Sequence, residues 1–130
     1  MREVSDQFKE EFDLEENPHD DKKRCIRMLD AVEKGRKALS ADTEADVKVD
    51  TLMDDEDLDI TVERYEFEDW IQEYTDQLKE LLTNVSDKLE DENKPDIEHI
   101  ELLGDCTRIP CFLEVIKEIF EGKGNLSIRN

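Results

Sequence analysis

The sequence predicts an α+β fold in which helices pack with a β-hairpin and a strand–turn–helix unit follows. Apolar residues recur at helical spacing in several stretches, and two runs in the middle of the chain alternate apolar and polar residues. Near the end an apolar strand meets a short turn. Pro110 then opens a helix at a position that tolerates a missing N–H.

Acidic residues dominate the composition, with 38 Asp and Glu against 18 Lys and Arg and a formal net charge of -20. Such a surface repels phosphates, so we expect neither nucleic-acid nor membrane partners. At 130 residues the chain can bury a modest core without disulfides. No apolar run approaches membrane-spanning length and the first residues lack an apolar signal segment, so we expect a cytoplasmic domain.

Neither the cysteines nor the acidic runs have the spacing of a metal site. Cys25, Cys106 and Cys111 have no clustered histidines, so we expect reduced thiols, with zinc as the minor alternative. The stretch DDEDLD lacks the central glycine and the terminal glutamate of a calcium loop. A solvated turn is therefore the preferred interpretation over calcium binding, and we predict no metal ligands.

A first helix and a break open the chain. Val4, Phe8 and Phe12 recur at every fourth position and mark one helical face. Pro18 then disfavours helix at the residue before it, and the acidic residues that follow suit the start of another helix.

Residues 20–39 form the predicted second helix. Arg36 and Lys37 fall in its last turn, where cations meet the negative end of the helix dipole, and this position is sufficient to explain them. The side chains expected to lie mostly inward are Cys25, Met28, Leu29, Val32 and Leu39.

Two runs of period two follow and flank an acidic turn at residues 54–57, so they predict a hairpin. A long helix is then predicted over residues 63–89. We expect its wide apolar stripe to be core, with an aromatic ligand box as the alternative. The stripe comprises Phe67, Trp70, Ile71, Tyr74, Leu78, Leu81, Leu82, Val85 and Leu89.

A single strand is predicted at 97–103, after a charged connection, and the last helix ends at the sequence GKGN. A strand that continues through a helix normally has parallel neighbours. Since only one such strand is predicted, we expect this part to be completed by something larger. An exposed strand edge also makes a dimer of the chain a reasonable expectation.

Two blocks of the sequence carry a resemblance. GDCTRIPCFLEVIKEIF resembles the strand–turn–helix of the seventy-kilodalton heat-shock chaperone family, whose signature is G-G-S/T-T-R-I-P. EKGRKALSADTEADVKVDTLMDDEDLDITV resembles the same family's helix and hairpin and leans toward its larger, hundred-and-ten-kilodalton relatives. The order and spacing of the two blocks agree over nearly the whole chain.

The resemblance implies a fragment of lobe II of an actin-like ATPase domain from a stress-response chaperone. Residues 1–95 would form subdomain IIB and residues 96–130 an edge of subdomain IIA, with the adenosine of ATP or ADP between them. Lys37 and Arg108 would sandwich the base, while Glu33 and Ser40 would hydrogen-bond the ribose. The nucleotide-binding positions carried over are Glu33, Arg36, Lys37 and Ser40 on the helix, and Gly104, Asp105, Arg108 and Ile109 in the turn.

The turn departs from the family pattern at two positions. Asp105 replaces the second glycine, and Cys106 replaces the small hydroxyl residue. Glycine permits positive φ and close approach of the backbone, whereas aspartate adds bulk and a charge that repels phosphates. We therefore predict weakened or altered nucleotide affinity relative to family members. A thiol near a helix N-terminus can have a lowered pKa, but a packed small side chain is the simpler role for Cys106.

The chain carries no glycine-rich phosphate cradle, so we expect no enzymatic activity from it alone and no tightly bound nucleotide. The resemblance implies the other lobes of the parent ATPase domain and a chaperone or nucleotide exchange factor as partners. Two alternatives remain open. The parent can be a divergent, non-hydrolysing acidic scaffold, or the chain can be an acidic α+β domain with a coincidental T-R-I-P turn.

Overall fold

The computed structural model describes residues 1–90 and 96–129. These residues divide into two compact units, the first unit (Met1–Trp70) and the second unit (Ile71–Asn130). Each unit combines helices with a two-stranded sheet, which confirms the predicted α+β class. The predicted division between subdomain-like parts 1–95 and 96–130 falls at residues outside the described ones and stays a prediction.

The first unit is a helix pair followed by a hairpin and a short helix. Its elements are α1 (Arg2–Glu11), a 3₁₀ helix (Pro18–Asp20), α2 (Lys22–Ala38), β1 (Glu44–Met53), β2 (Glu56–Glu63) and α3 (Arg64–Trp70). The predicted face of α1 is confirmed, since Val4 and Phe8 are buried and Phe12 packs against the same core.

Polar contacts join α1 to the 3₁₀ helix that precedes α2. The buried hydroxyl of Ser5 donates to the side-chain oxygen of Asn17, and the backbone N–H of His19 donates to both groups at 3.0 Å. The Asp21 carboxylate then caps α2 by accepting from the backbone N–H of Arg24 at 2.9 Å. This hydrogen bond is the main reason that the pKa of Asp21 lies below its ordinary value of 3.8.

The hairpin has the predicted period-two pattern, with a shorter turn. β1 and β2 pair antiparallel, with Val47 opposite Ile60 and Val49 opposite Leu58. Asp54 and Asp55 form the turn with φ of 53° and 61°, as the two positive values of a type I′ turn require. The other two residues of the predicted acidic turn already belong to β2.

The buried face of α2 differs from the predicted one. Met28, Ala31 and Gly35 are buried toward the hairpin, whereas Leu29 is 54% exposed. The predicted inward position of Leu29 is therefore wrong. Because successive helix residues lie 100° apart, the stripe through 28, 31 and 35 leaves position 29 on the helix flank.

The second unit contains a helix pair and a small parallel sheet. Its elements are α4 (Gln72–Leu89), β3 (His99–Leu103), a 3₁₀ helix (Asp105–Arg108), α5 (Pro110–Ile119) and β4 (Asn125–Arg129). The single helix predicted over 63–89 is wrong, because Ile71 separates α3 from α4 with φ of -104° and ψ of 9°. Phe67 and Trp70 pack on the core of the first unit, whereas α4 contacts α5.

The apolar stripe of α4 is only partly core. The buried residues of α4 are Thr75 and Ser86, which do not belong to the stripe. The prediction that the whole stripe is buried is therefore wrong. The exposed members are Tyr74 at 61%, Leu81 at 60%, Val85 at 39% and Leu89 at 37%.

The prediction of a lone strand at 97–103 is also wrong. β3 pairs in parallel with β4, with Ile100 opposite Leu126 and Leu102 opposite Ile128. Leu126 and Ile128 alternate with polar residues, and this short period-two signal follows the glycines directly. The dimer predicted from an exposed edge stays a prediction. Among the described residues, no helix is long and apolar enough to cross a membrane.

We predict that Gly124→Ala destabilises the second unit more than Gly122→Ala does. Both glycines have positive φ, 71° and 74°, and alanine there costs about 1–2 kcal/mol. Only at Gly124 would the added Cβ also meet backbone, 2.8 Å from the carbonyl oxygen of Ile97. Urea denaturation followed by circular dichroism measures the loss of stability in each variant. Equal losses would contradict the close approach of Gly124 to the backbone of Ile97.

We predict that Asp21→Asn reduces the loss of stability at acidic pH. A carboxyl with a lowered folded-state pKa stabilises the fold above its ordinary pKa and loses this contribution as pH falls through the folded value. Asparagine caps α2 without titrating. The wild type should therefore lose more stability than the variant as the pH falls from neutral to below the ordinary pKa of Asp21. Asp20→Asn, one position earlier, is the control, and the same pH dependence in both variants would contradict the prediction.

Candidate functional site

The first group of predicted site residues lies at the C-terminal end of α2. Glu33, Arg36 and Lys37 are spaced by three and four residues, so they share one helical face. Ser40 follows the helix, and its hydroxyl lies 3.5 Å from the backbone oxygen of Arg36. The first unit therefore brings together all the site residues that were predicted on this helix.

Charge pairing organises this face. The guanidinium of Arg36 binds the Glu33 carboxylate through two hydrogen bonds of 2.6 and 2.9 Å. The ammonium of Lys37 lies 3.9 Å from the same carboxylate. The side chain of Arg36 is only 16% exposed, whereas that of Lys37 is 57% exposed. Lys37 is therefore the more accessible of the two cations.

The second group lies in the turn between β3 and α5. Gly104 has φ of 99°, a value that favours glycine. Its carbonyl oxygen accepts from the backbone N–H of Thr107 at 3.1 Å and from the Thr107 hydroxyl at 2.6 Å. Ile109 is only 4% exposed and anchors the turn, whereas Arg108 is exposed. Thr107 was missed as a structural member of this turn, although threonine hydroxyls often hydrogen-bond nearby backbone groups in turns.

Asp105 occupies an exposed position in the first turn of the 3₁₀ helix. The residues with positive φ include Gly104 but not Asp105. The backbone at position 105 therefore does not require glycine, and the bulk and charge of the aspartate are the differences that remain. The effect of Asp105 on nucleotide affinity stays a prediction.

The two groups belong to different units, so their convergence on one ligand stays a prediction. The sandwich of a base between Lys37 and Arg108 is part of that prediction. Within residues 1–90 and 96–129, no group of three or more His, Cys, Asp or Glu side chains is arranged to hold a metal ion. Cys106 is exposed, and Cys25 and Cys111 are half-buried thiols.

A groove of about 400 Å³ lies beside the turn in the second unit, between α4 and α5. The sequence favoured core for the stripe of α4 that lines this groove and kept an aromatic ligand box as the alternative; the contribution of α5 was not predicted. Its apolar lining includes Tyr74, Leu78, Leu81, Phe112 and Ile116.

Comparison with known proteins identifies the relatives of the chain. The family model described as "Hsp70 protein" matches residues 1–130. Two proteins of Saccharomyces cerevisiae, both described as heat shock protein homologs, are 34% and 33% identical to the chain over 120 residues. A heat shock protein homolog of Lachancea kluyveri is 31% identical over 118 residues. Each match covers 89% of this chain and 16% of the relative.

Proposed function

The chain belongs to the Hsp70 protein family, and we propose that it is the part of that family's ATPase domain that closes over the adenosine of ATP or ADP. In this proposal the first unit corresponds to most of subdomain IIB, and the turn of the second unit belongs to subdomain IIA. The observation that carries the proposal is the exposed Lys37 ammonium, which lies 3.9 Å from the Glu33 carboxylate near the end of α2, with Ser40 two residues beyond the helix.

The residues at the end of α2 have the chemistry that a nucleoside requires. An extended cationic side chain such as Lys37 can lie over the face of a purine. The Ser40 hydroxyl donates and accepts, and the Glu33 carboxylate accepts, so both suit ribose hydroxyls. Arg36 holds Glu33 through the two hydrogen bonds described above, which orients that carboxylate.

The turn of the second unit supplies the other side of the proposed site. Arg108 is exposed, and its planar guanidinium suits stacking on a base. A Cβ added at Gly104 would meet no atom within 4 Å, so the backbone there is open to close approach. Ile109 and the two hydrogen bonds from Thr107 hold this turn in shape.

The chain spans 16% of the length of the relatives it matches, so the activity of the whole protein is part of the proposal. A bound nucleotide supplies the phosphoryl group, whose transfer depends on positioning and charge neutralisation. The sequence of this chain has no glycine-rich phosphate cradle. We assign phosphate binding and the positioning of the phosphoryl group to other lobes of the parent protein. The chain closes over adenosine and presents a surface to a chaperone or exchange-factor partner by rigid-body movement of the first unit.

The alternative is a non-hydrolysing acidic scaffold with the same architecture. The Asp105 carboxylate in the turn and the formal charge of -20 favour it, because both oppose phosphate binding. Measuring binding and turnover of ATP by the intact protein that contains this chain separates the two functions. Binding of ATP, with or without turnover, fits closure over nucleotide, and absence of binding fits the scaffold.

We predict that Lys37→Ala weakens binding of ADP to the intact protein by roughly 2- to 30-fold, the equivalent of a cation–π contact of ~0.5–2 kcal/mol. Isothermal titration calorimetry measures the change. Lys34→Ala is the matched control, because Lys34 lies on the same helix, is 76% exposed and pairs with Asp30 instead. Equal effects of the two variants would remove Lys37 from the site.

We predict that Asp105→Gly strengthens ATP binding by the intact protein about fivefold, since two unit charges about 4 Å apart contribute ~1 kcal/mol in water. Asp105→Asn separates charge from bulk, because it removes the charge and keeps the size. If charge is the cause, both variants bind ATP more tightly and the gain shrinks as salt is added. Unchanged affinity in both variants would show that Asp105 does not oppose the phosphates.

A further inference from the structure

Arg64 connects the start of α3 to the segment that follows α2. Its Nε donates to the backbone oxygen of Leu39 at 2.9 Å, and its Nη2 donates to the backbone oxygen of Asp42 at 2.7 Å. Its backbone N–H donates to the oxygen of Thr43 at 2.8 Å. One residue therefore binds three carbonyl groups within the segment 39–43.

These carbonyls belong to the end of α2 and the residues after it, where helix geometry leaves backbone groups without partners in the helix. Leu39 is the C-cap residue, and its side chain, 3% exposed, is anchored in the core. The amides of Ser40 and Asp42 bond back to Lys37 and Ala38, respectively, at 3.2 and 2.8 Å. The segment 39–43 is thus held by the helix on its amide side and by Arg64 on its carbonyl side.

We propose that Arg64 is the positioning residue that sets the location of the Ser40 hydroxyl for the ribose. A guanidinium has N–H groups in a fixed planar fork, so two simultaneous bonds to Leu39 and Asp42 define both the position and the orientation of the segment between them. Arg64 acts through the backbone around Ser40 and needs no contact with the ligand. The inference rests on the function proposed above, because it concerns the same nucleoside site.

Arg27 offers a matched comparison in the same unit. Its guanidinium also binds two backbone oxygens, that of Thr51 at 3.0 Å and that of Asp50. These oxygens lie at the bulge of β1, in a segment that contains no predicted site residue. Replacing Arg27 therefore removes the same kind of contact without touching the segment that carries Ser40.

The first experiment measures hydrogen exchange of the intact protein at residues 40–42. Arg64→Met should raise exchange there by roughly 3- to 10-fold, the size expected when one or two hydrogen bonds are lost. Arg27→Met should leave exchange at these residues as in the wild type. Unchanged exchange in Arg64→Met would overturn the positioning role.

The second experiment measures the affinity of the intact protein for ADP. Arg64→Met should weaken binding by roughly 3- to 10-fold, and Arg27→Met should bind like the wild type even where both variants lose similar thermal stability. Arg64→Lys keeps the positive charge and loses the fork. Weakened binding in Arg64→Lys supports positioning, whereas wild-type affinity in that variant would overturn it in favour of a charge effect.

Ser40→Ala distinguishes failure of this inference from failure of the proposed function. If Ser40→Ala weakens ADP binding and Arg64→Met does not, the positioning role is wrong and the nucleoside site stands. If neither Ser40→Ala nor Lys37→Ala changes ADP binding, the proposed site is wrong and the positioning role in binding falls with it.

Discussion

The close approach of α2 to β1 is the constraint on which the first unit depends. A Cβ at Gly35 would lie 3.0 Å from the Cγ2 of Val47, so glycine lets the helix and the strand pack at short range. Met28 and Ala31 complete the contact on the helix side. With this face of α2 committed to the hairpin, another face presents the charged residues of the candidate site. A single packing contact therefore determines which side chains are available to a ligand.

The end of α2 is stabilised by charged side chains at two levels. Arg36 and Glu33 pair along the helix surface. Arg64 donates to the carbonyl oxygen of Leu39, which has no hydrogen-bond donor within the helix because the helix ends there. Hydrogen bonds to a charged donor are stronger than those between neutral groups. The chain has more than twice as many acidic as basic residues. Of its few cations, these two arginines stabilise the end of α2 through the contacts described above.

The second unit leaves more apolar surface uncovered than the first. Parallel strands usually lie in sheets with both faces covered, yet β3 and β4 form a sheet of two strands in the described part of the chain. Four apolar side chains of α4, those of Tyr74, Leu81, Val85 and Leu89, remain exposed beside α5. Both features fit a unit that belongs to a larger domain, in line with the relatives, of which this chain spans 16%.

By itself, the sequence determined the fold class, the period-two hairpin, the turn after β3 and the family, because each depends on local spacing or on short motifs. It also placed Glu33, Arg36 and Lys37 on the second helix, since helical periodicity is a local property. Only the tertiary structure decided that Leu29 is exposed, that Ile71 divides the long helix and that β4 pairs with β3. It alone placed Arg64 against Leu39, 25 residues away in sequence. These features depend on which surfaces pack together. A pattern of apolar residues predicts which face of an element is buried, but not which other element covers it.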